Sequence, residues 1–198
     1  MKQNTVNAIY LHGFASAFDP NNEKVAFLNT QVNLIPFSYD TCASYDENIQ
    51  KMTAVIHQHD ITLLVGCSLG GFYALELAER IAGTFALALN PSYNPKQSLV
   101  NVVGSHMNYT TNCPETLTQS VAESYPVGGA PRPCNAIVMV ELGDDVVDPR
   151  QSEYHFFKAP SNLKFLSFPG GNHRFESLQK RWHLVEPYLK PSPQLAVG

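Results

Sequence analysis

Ile61-Thr62-Leu63-Leu64-Val65-Gly66-Cys67-Ser68-Leu69-Gly70-Gly71-Phe72-Tyr73 joins a short apolar run to a helical pattern through one serine flanked by glycines. The run reads as a strand covered on both faces. Beyond the glycines, Ala74, Leu77, Ala78 and Ile81 share one helix face, and Gly83 is a natural stop. Gly66-Cys67-Ser68-Leu69-Gly70 therefore fits the Gly-x-Ser-x-Gly elbow in the strand–turn–helix context that the elbow requires. Small flanking residues let strand and helix backbones approach, and the serine sits at the apex with its hydroxyl projecting above the sheet. The helix that follows aims its dipole and free N–H groups at any oxyanion forming there. A glycine-rich turn with an incidental serine is the bland alternative, and the context on both sides disfavours it. A dinucleotide loop is excluded, because the spacing is not G-x-G-x-x-G and the run is the third, not the first. Cys67 precedes the apex and reads as packing rather than as a rival nucleophile.

Working outward, five further apolar runs punctuate the chain: Ala8–Leu11, Val32–Ile35, Phe85–Leu89, Ala136–Val140 and Lys164–Phe168. Most are continuous rather than alternating, with helical stretches between them. That alternation predicts an α/β fold, a doubly wound, mainly parallel sheet of about six strands. Ser44-Tyr45-Asp46-Glu47 is a capping box, followed by the stripe Tyr45, Ile49, Met52 and Ile56. Asp148-Pro149-Arg150-Gln151 starts another helix, with Asp148 as N-cap, Pro149 at the first helical position and Gln151 closing the box. Phe175, Leu178, Trp182, Val185 and Leu189 mark a last helix, which Pro187 should end or kink.

Residues 91–133 break this rhythm. They carry no clear sheet run and are rich in turn formers, so they read as a small lid with a short helix around Lys96–Val103. The expectation is one domain over 1–190, with this lid inserted, and a loose tail over 191–198.

Composition bounds the partners. The 198 residues are 44% hydrophobic and 15% charged, and Lys+Arg 13 against Asp+Glu 17 gives a net charge of -4. No basic excess exists to neutralise phosphates, so nucleic-acid and anionic-membrane partners lack electrostatic support. No run approaches the roughly 20 apolar residues of a bilayer span, and no signal peptide is visible, so the expected location is cytoplasmic. Cys42, Cys67, Cys113 and Cys134 form no CxxC pair, so four free thiols are expected, with Cys67 and Cys134 in packing roles.

A serine hydroxyl needs a base. Of seven histidines, only His106, His155, His173 and His183 follow Ser68, as the chain order nucleophile, acid, histidine requires. His173 lies in Pro169-Gly170-Gly171-Asn172-His173, past the last strand, where catalytic groups of parallel sheets collect. His155 and His183 fall mid-helix, and His106 lies in the lid. His57 and His59, two apart, do not share a helix face and suggest no metal site. For the acid, Gly143-Asp144-Asp145-Val146-Val147-Asp148 follows the fifth run. Asp148 is used as a cap, Asp144 is the first candidate and Asp145 the runner-up. The acid would hold the imidazole in its productive tautomer. Leu11-His12-Gly13-Phe14-Ala15-Ser16, after the first strand, offers the backbone N–H of Phe14 as one oxyanion donor, with that of Leu69 as the other. His12 reads as a brace for that loop.

Leu11–Ser16, Gly66–Tyr73, Asn90-Pro91, Gly143–Asp148 and Gly170–His173, in this order, resemble the YqiA/YcfP family of small bacterial α/β-hydrolase esterases (UPF0227-type). The resemblance runs from about Ala8 to about Tyr188 and is loosest in the lid. It implies an α/β-hydrolase fold without the first two strands of the larger enzymes. It also implies esterase activity on short acyl esters, or on acyl thioesters, with no cofactor.

The expected chemistry is hydrolysis of short-to-medium acyl esters through an acyl-enzyme on Ser68. An acyl-CoA thioesterase ranks second, because Lys96, Arg132 and Arg150 are scattered rather than gathered for phosphates. A non-catalytic hydrolase-like binding protein ranks last.

Overall fold

The computed structural model describes residues 6–133, 135–157 and 163–189. Its elements run β1 (Asn7–Leu11), α1 (Glu23–Gln31), β2 (Asn33–Ile35), α2 (Tyr45–Gln58), β3 (Leu63–Cys67), α3 (Leu69–Arg80) and β4 (Phe85–Leu89). The inserted region contributes α4 (Pro95–Val100), β5 (Gly104–Met107), β6 (Pro114–Leu117) and α5 (Gln119–Ser124). The chain then returns through β7 (Ala136–Glu141), α6 (Pro149–Phe157), β8 (Lys164–Phe168), α7 (Leu178–Arg181), a 3₁₀ turn (Trp182–Leu184) and α8 (Glu186–Leu189). All six expected runs are strands of one sheet, in the order β2-β1-β3-β4-β7-β8, and every pairing in it is parallel. This is the α/β-hydrolase fold, with the serine-bearing strand near the middle of the sheet.

Alternation within each strand divides the core in two. Ile9, Leu11, Leu64, Ala86, Ala88, Val138 and Val140 face α2, α3 and Phe156 of α6. Ala8, Tyr10, Leu63, Val65, Leu87, Leu89, Ile137 and Met139 face Val25 and Leu28 of α1 and the C-terminal Leu178, Trp182 and Val185. Because both faces are covered, the strands read as continuous apolar runs. Each large side chain removed from water there contributes roughly 1.5–3 kcal/mol. Ser44 caps α2 in a reciprocal box with Glu47, and Tyr45, Ile49, Met52 and Ile56 form its buried stripe as expected. α3 stops at Arg80, and Gly83 follows in the left-handed region at φ 84°.

Three expectations need correction. The insertion is not devoid of sheet: β5 and β6 form an antiparallel hairpin, and two short helices flank it. The hairpin strands alternate half-buried with exposed residues and carry Ser, His, Glu and Thr, so no apolar run announced them. Second, the last helix is three short pieces rather than one. Pro187 has no N–H for the carbonyl one turn back and clashes with it, and the preceding turn tightens to 3₁₀. Third, Gln151 does not close a backbone capping box. Asp148 Oδ1 accepts the Arg150 N–H at 2.9 Å, while Gln151 Nε2 donates to Asp148 Oδ2 at 3.2 Å.

The expected tail and Cys134 lie outside the described residues. Among the described residues, no helix is long and apolar enough to cross a membrane.

Candidate active site

The elbow is built by backbone proximity. A Cβ at Gly66 would lie 2.0 Å from the Gly70 carbonyl oxygen, and a Cβ at Gly70 would lie 2.0 Å from that of Leu11. Neither position can carry a side chain. Between them Ser68 sits at φ 56°, ψ -121°, a conformation that stores about 1–3 kcal/mol of strain in a non-glycine residue. Its N–H donates to the Leu89 carbonyl, and its own carbonyl accepts from Phe72 and Ser92, so neighbouring elements hold the strained residue in place. The side chain makes no cap bond to α3. Cys67 points into the core on the α1 side, where burial pushes its thiol up to about 11. That argues against a thiolate nucleophile.

His173 stands on the loop after β8, and its Nδ1 lies 2.9 Å from both carboxylate oxygens of Asp144. The Asp144 side chain is 2% exposed and the His173 side chain 21%. Asp144 Oδ1 also accepts the N–H groups of Val146 and Val147, each at 2.9 Å. With Nδ1–H directed at the carboxylate, Nε2 is the basic ring nitrogen. Asp145 is exposed and makes no such contact. The structure therefore pairs the first candidate acid, not the runner-up, with the histidine. The backbone carbonyl of His173 lies 3.7 Å from Cys67 Sγ, one residue before Ser68. Among the described residues Ser68 Oγ and His173 Nε2 share no hydrogen bond, and bonds of this kind often close only with substrate in place.

The loop after β1 lies over the serine. An added Cβ at Gly13 would stand 3.4 Å from Ser68 Cβ and 3.9 Å from its Oγ. Phe14 follows, and among the described residues neither its N–H nor that of Leu69 donates to a protein acceptor. Leu69 is the first residue of α3, where intrahelical partners are missing. His12 braces this loop: its ring stacks on Tyr39 with centroids 4.3 Å apart, Nδ1 meets the Gly13 carbonyl at 3.1 Å, and Nε2 accepts the Tyr39 N–H at 3.4 Å. Burial drives its pKa down to about 4, so the ring is neutral near pH 7.

The other histidines take no part. His155 Nε2 meets the Ala130 carbonyl at 2.8 Å, and His183 and His57 are exposed. His106 sits edge-on to Phe14, with centroids 5.0 Å apart, as part of the hairpin's contact with the loop. Tyr109 N–H donates to the Ala15 carbonyl at 2.8 Å, and Ala15 N–H donates to Thr41 Oγ1 at 3.1 Å. The insertion is thus bonded directly to the chain beside the candidate oxyanion donors.

Several supporting residues escaped the sequence reading. Asn90 Nδ2 donates to the carbonyls of Asn172 and His173 at 2.8 and 3.2 Å, while its Oδ1 accepts the Glu141 N–H at 2.8 Å. The buried Glu141 carboxylate accepts the Asn172 N–H at 2.9 Å. Lys24 Nζ donates to the Arg174 carbonyl at 2.6 Å. A signal existed for two of them: Asn90 begins an Asn-Pro turn, and Glu141 is a lone charge ending an apolar strand. Nothing local marked Lys24. No group of three or more potential metal-binding side chains occurs among the described residues.

Among proteins of known structure, the chain is similar to a monoacylglycerol lipase from Paleococcus ferrophilus, at 16% identity and a TM-score of 0.68, covering 92% of this chain and 93% of that one. Est1E from Butyrivibrio proteoclasticus matches at 14% identity and a TM-score of 0.66, covering 93% and 86%. The enol-lactonase from Burkholderia xenovorans LB400 matches at 12% and 0.67, covering 94% and 92%. These likenesses establish the fold. By sequence, the chain is 25% identical over 153 residues to UPF0227 protein ECA1814 of Pectobacterium atrosepticum, spanning 73% of this chain and 78% of that protein. Residues 7–188 match the uncharacterised protein family UPF0227, and the chain belongs to that family.

Proposed function

We propose that this protein is a serine hydrolase acting on short-to-medium acyl carboxylic esters, with Ser68 as nucleophile, His173 as base and Asp144 as the acid that orients it. The observation that carries the reading is the 2.9 Å pairing of His173 Nδ1 with a buried, backbone-anchored Asp144, on a loop packed against Cys67 beside the strained Ser68. The acyl-ester class is supported by the family resemblance and by the names of fold neighbours such as the Paleococcus lipase.

In the first half-reaction, His173 Nε2 takes the Ser68 proton as Oγ attacks the ester carbonyl. The N–H groups of Phe14 and Leu69 receive the oxyanion, and such preorganised donors are each worth roughly 3 kcal/mol of barrier. Asp144 stabilises the imidazolium, which then protonates the departing alcohol. Water, deprotonated by the same nitrogen, releases the acid from the acyl-enzyme.

Ester rather than thioester cleavage is favoured because the candidate cations are dispersed and partly engaged. Lys96 Nζ donates to the Glu123 carbonyl, and Arg132 donates to that of His155. The test is labelling with a fluorophosphonate, followed by turnover of p-nitrophenyl esters of graded length and their matched thioesters. Labelling of Ser68 with ester turnover is expected. Absence of labelling in wild-type protein would overturn the assignment.

A further inference from the structure

Asn90 is buried, sits in the left-handed region at φ 41° just past β4, and connects all three segments that carry the candidate triad. Its two Nδ2 hydrogens go to consecutive carbonyls of the base loop, Asn172 and His173. Its Oδ1 takes the N–H of Glu141, the last residue of the strand that leads into the acid loop. Glu141 closes the circuit twice: its carbonyl accepts the Asp144 N–H at 3.0 Å, and its carboxylate accepts the Asn172 N–H. Two residues beyond Asn90, Ser92 N–H donates to the carbonyl of Ser68 itself.

We infer that Asn90 is a positioning residue, whose side-chain amide holds the His173 loop and the Asp144 strand at one fixed offset above the serine elbow. The role rests on the Ser68–His173–Asp144 reading given above. Only an amide fits this duty. It supplies two donors and one acceptor on a short planar group, and asparagine is among the few residues that tolerate a left-handed backbone. Asp would keep the acceptor but turn a second oxygen toward two carbonyls. Leu or Val would leave the buried Glu141 N–H and two half-buried carbonyls without this partner. The loop it holds also carries Gly171, at φ 76°, whose backbone is so close to the Glu141 carboxyl that an added Cβ would lie 2.2 Å from it. Glu141, Lys24 and the buried Phe175 anchor the residues on either side, and the amide adds the two bonds to the carbonyls of Asn172 and His173 themselves.

The test compares Asn90→Gly, which accepts the backbone angle and removes the amide, with Thr84→Ala. Thr84 is buried before the opposite end of the same strand, where its hydroxyl donates to Ile81. Two readouts are taken on the full chain: kcat and KM on the best ester, and the downfield proton resonance of a His173 Nδ1–H bonded to Asp144. Asn90→Gly is expected to lower kcat by about 10–100-fold, the scale of a 1 Å misplacement, with KM held within about threefold. The downfield resonance is expected to broaden or vanish. Thr84→Ala should keep both, however much it lowers the unfolding temperature. Retention of kcat and resonance in Asn90→Gly, or equal losses in Thr84→Ala, would overturn the role. Asn90→Asp, isosteric but with a charged oxygen in place of the two donors, reads the same way should the glycine variant not fold. The resonance reports the pair whether or not esters are cleaved, so failure of the hydrolase reading is seen separately, as unlabelled Ser68.

Discussion

Both carboxylate oxygens of Asp144 lie 2.9 Å from His173 Nδ1, and one of them also holds the N–H groups of Val146 and Val147. The Asp144 carboxylate is thus oriented by its own loop where it meets the imidazole. Its neighbour Asp145 has the same chemistry and projects outward. Asp144→Asn should therefore lower kcat by about 10³–10⁴-fold, because the amide can present N–H to the ring and favour the wrong tautomer. Asp145→Asn should stay within about twofold of wild type, as expected of an exposed side chain away from special contacts. Steady-state kinetics of the two variants side by side check the difference.

Replacing Ser68 separates strain from chemistry. Ser68→Ala should abolish ester turnover to at least about 10⁴-fold below wild type while leaving stability nearly unchanged, since alanine inherits the same disfavoured φ. Ser68→Gly should be equally inactive but more stable by about 1 kcal/mol, because glycine occupies positive φ without steric cost. Thermal unfolding of the pair reads this as a rise of about 2–4 °C for the glycine variant in a chain of this size.

His12 makes stability depend on pH. Its folded pKa is about 4 against an ordinary 6.5, so between these values the unfolded chain binds the proton and the folded chain does not. Stability is full above pH 6.5, falls as pH drops toward 4, and levels below 4, with a total of roughly 3 kcal/mol from this group. His155, also shifted down by burial, adds in the same direction. Unfolding temperatures measured from pH 4 to 7.5 should rise with pH, and His12→Gln should flatten that rise.

The thiols should differ in reactivity by position. Cys113 is exposed, whereas Cys67 is buried with its thiol pushed up to about 11. Iodoacetamide at neutral pH should modify Cys113 before the half-buried Cys42 and leave Cys67 unmodified in the folded state. Peptide mass spectrometry over a time course reads the order. Cys67→Ala should keep kcat within about fivefold, the cost of a packing change of 1–2 kcal/mol spread between stability and loop placement.

Gly70→Ala should destabilise by about 3 kcal/mol or more, because its Cβ would press on the Leu11 carbonyl oxygen at 2.0 Å and neither backbone can yield cheaply. Gly83→Ala meets no neighbour and suffers only its positive φ, about 1 kcal/mol. Denaturant midpoints of the two variants check the contrast.

Local patterns carried much of this architecture. Six apolar runs separated by helical periodicities were visible because the central strands β1, β3, β4 and β7 are buried on two faces and α2 carries one buried stripe. Ser68 was visible because an elbow at a strand–helix junction demands glycines where backbones touch. His173 was visible by its place after the last strand. The β5–β6 hairpin was not: its alternation is weak and its residues are polar, since only one side of the ribbon meets protein. The broken C-terminal helix kept its apolar spacing while losing its hydrogen bonds at Pro187, so the side-chain pattern survived where the backbone did not.

What the sequence determined by itself was the succession of the six strands of the main sheet and the helices between them outside the insertion, the serine at the tight turn, and three carboxylates within reach of one loop. Periodicity and turn chemistry are properties of a few neighbouring residues, and they need no partner to be read. The pairing of His173 with Asp144 rather than Asp145, the bonds of the Asn90 amide to the loop that carries His173, and the hairpin bonded to Ala15 were decided by tertiary structure. Each depends on which groups from segments 29 to 94 residues apart meet at hydrogen-bond distance, and that follows only once the sheet has brought its carboxyl ends together.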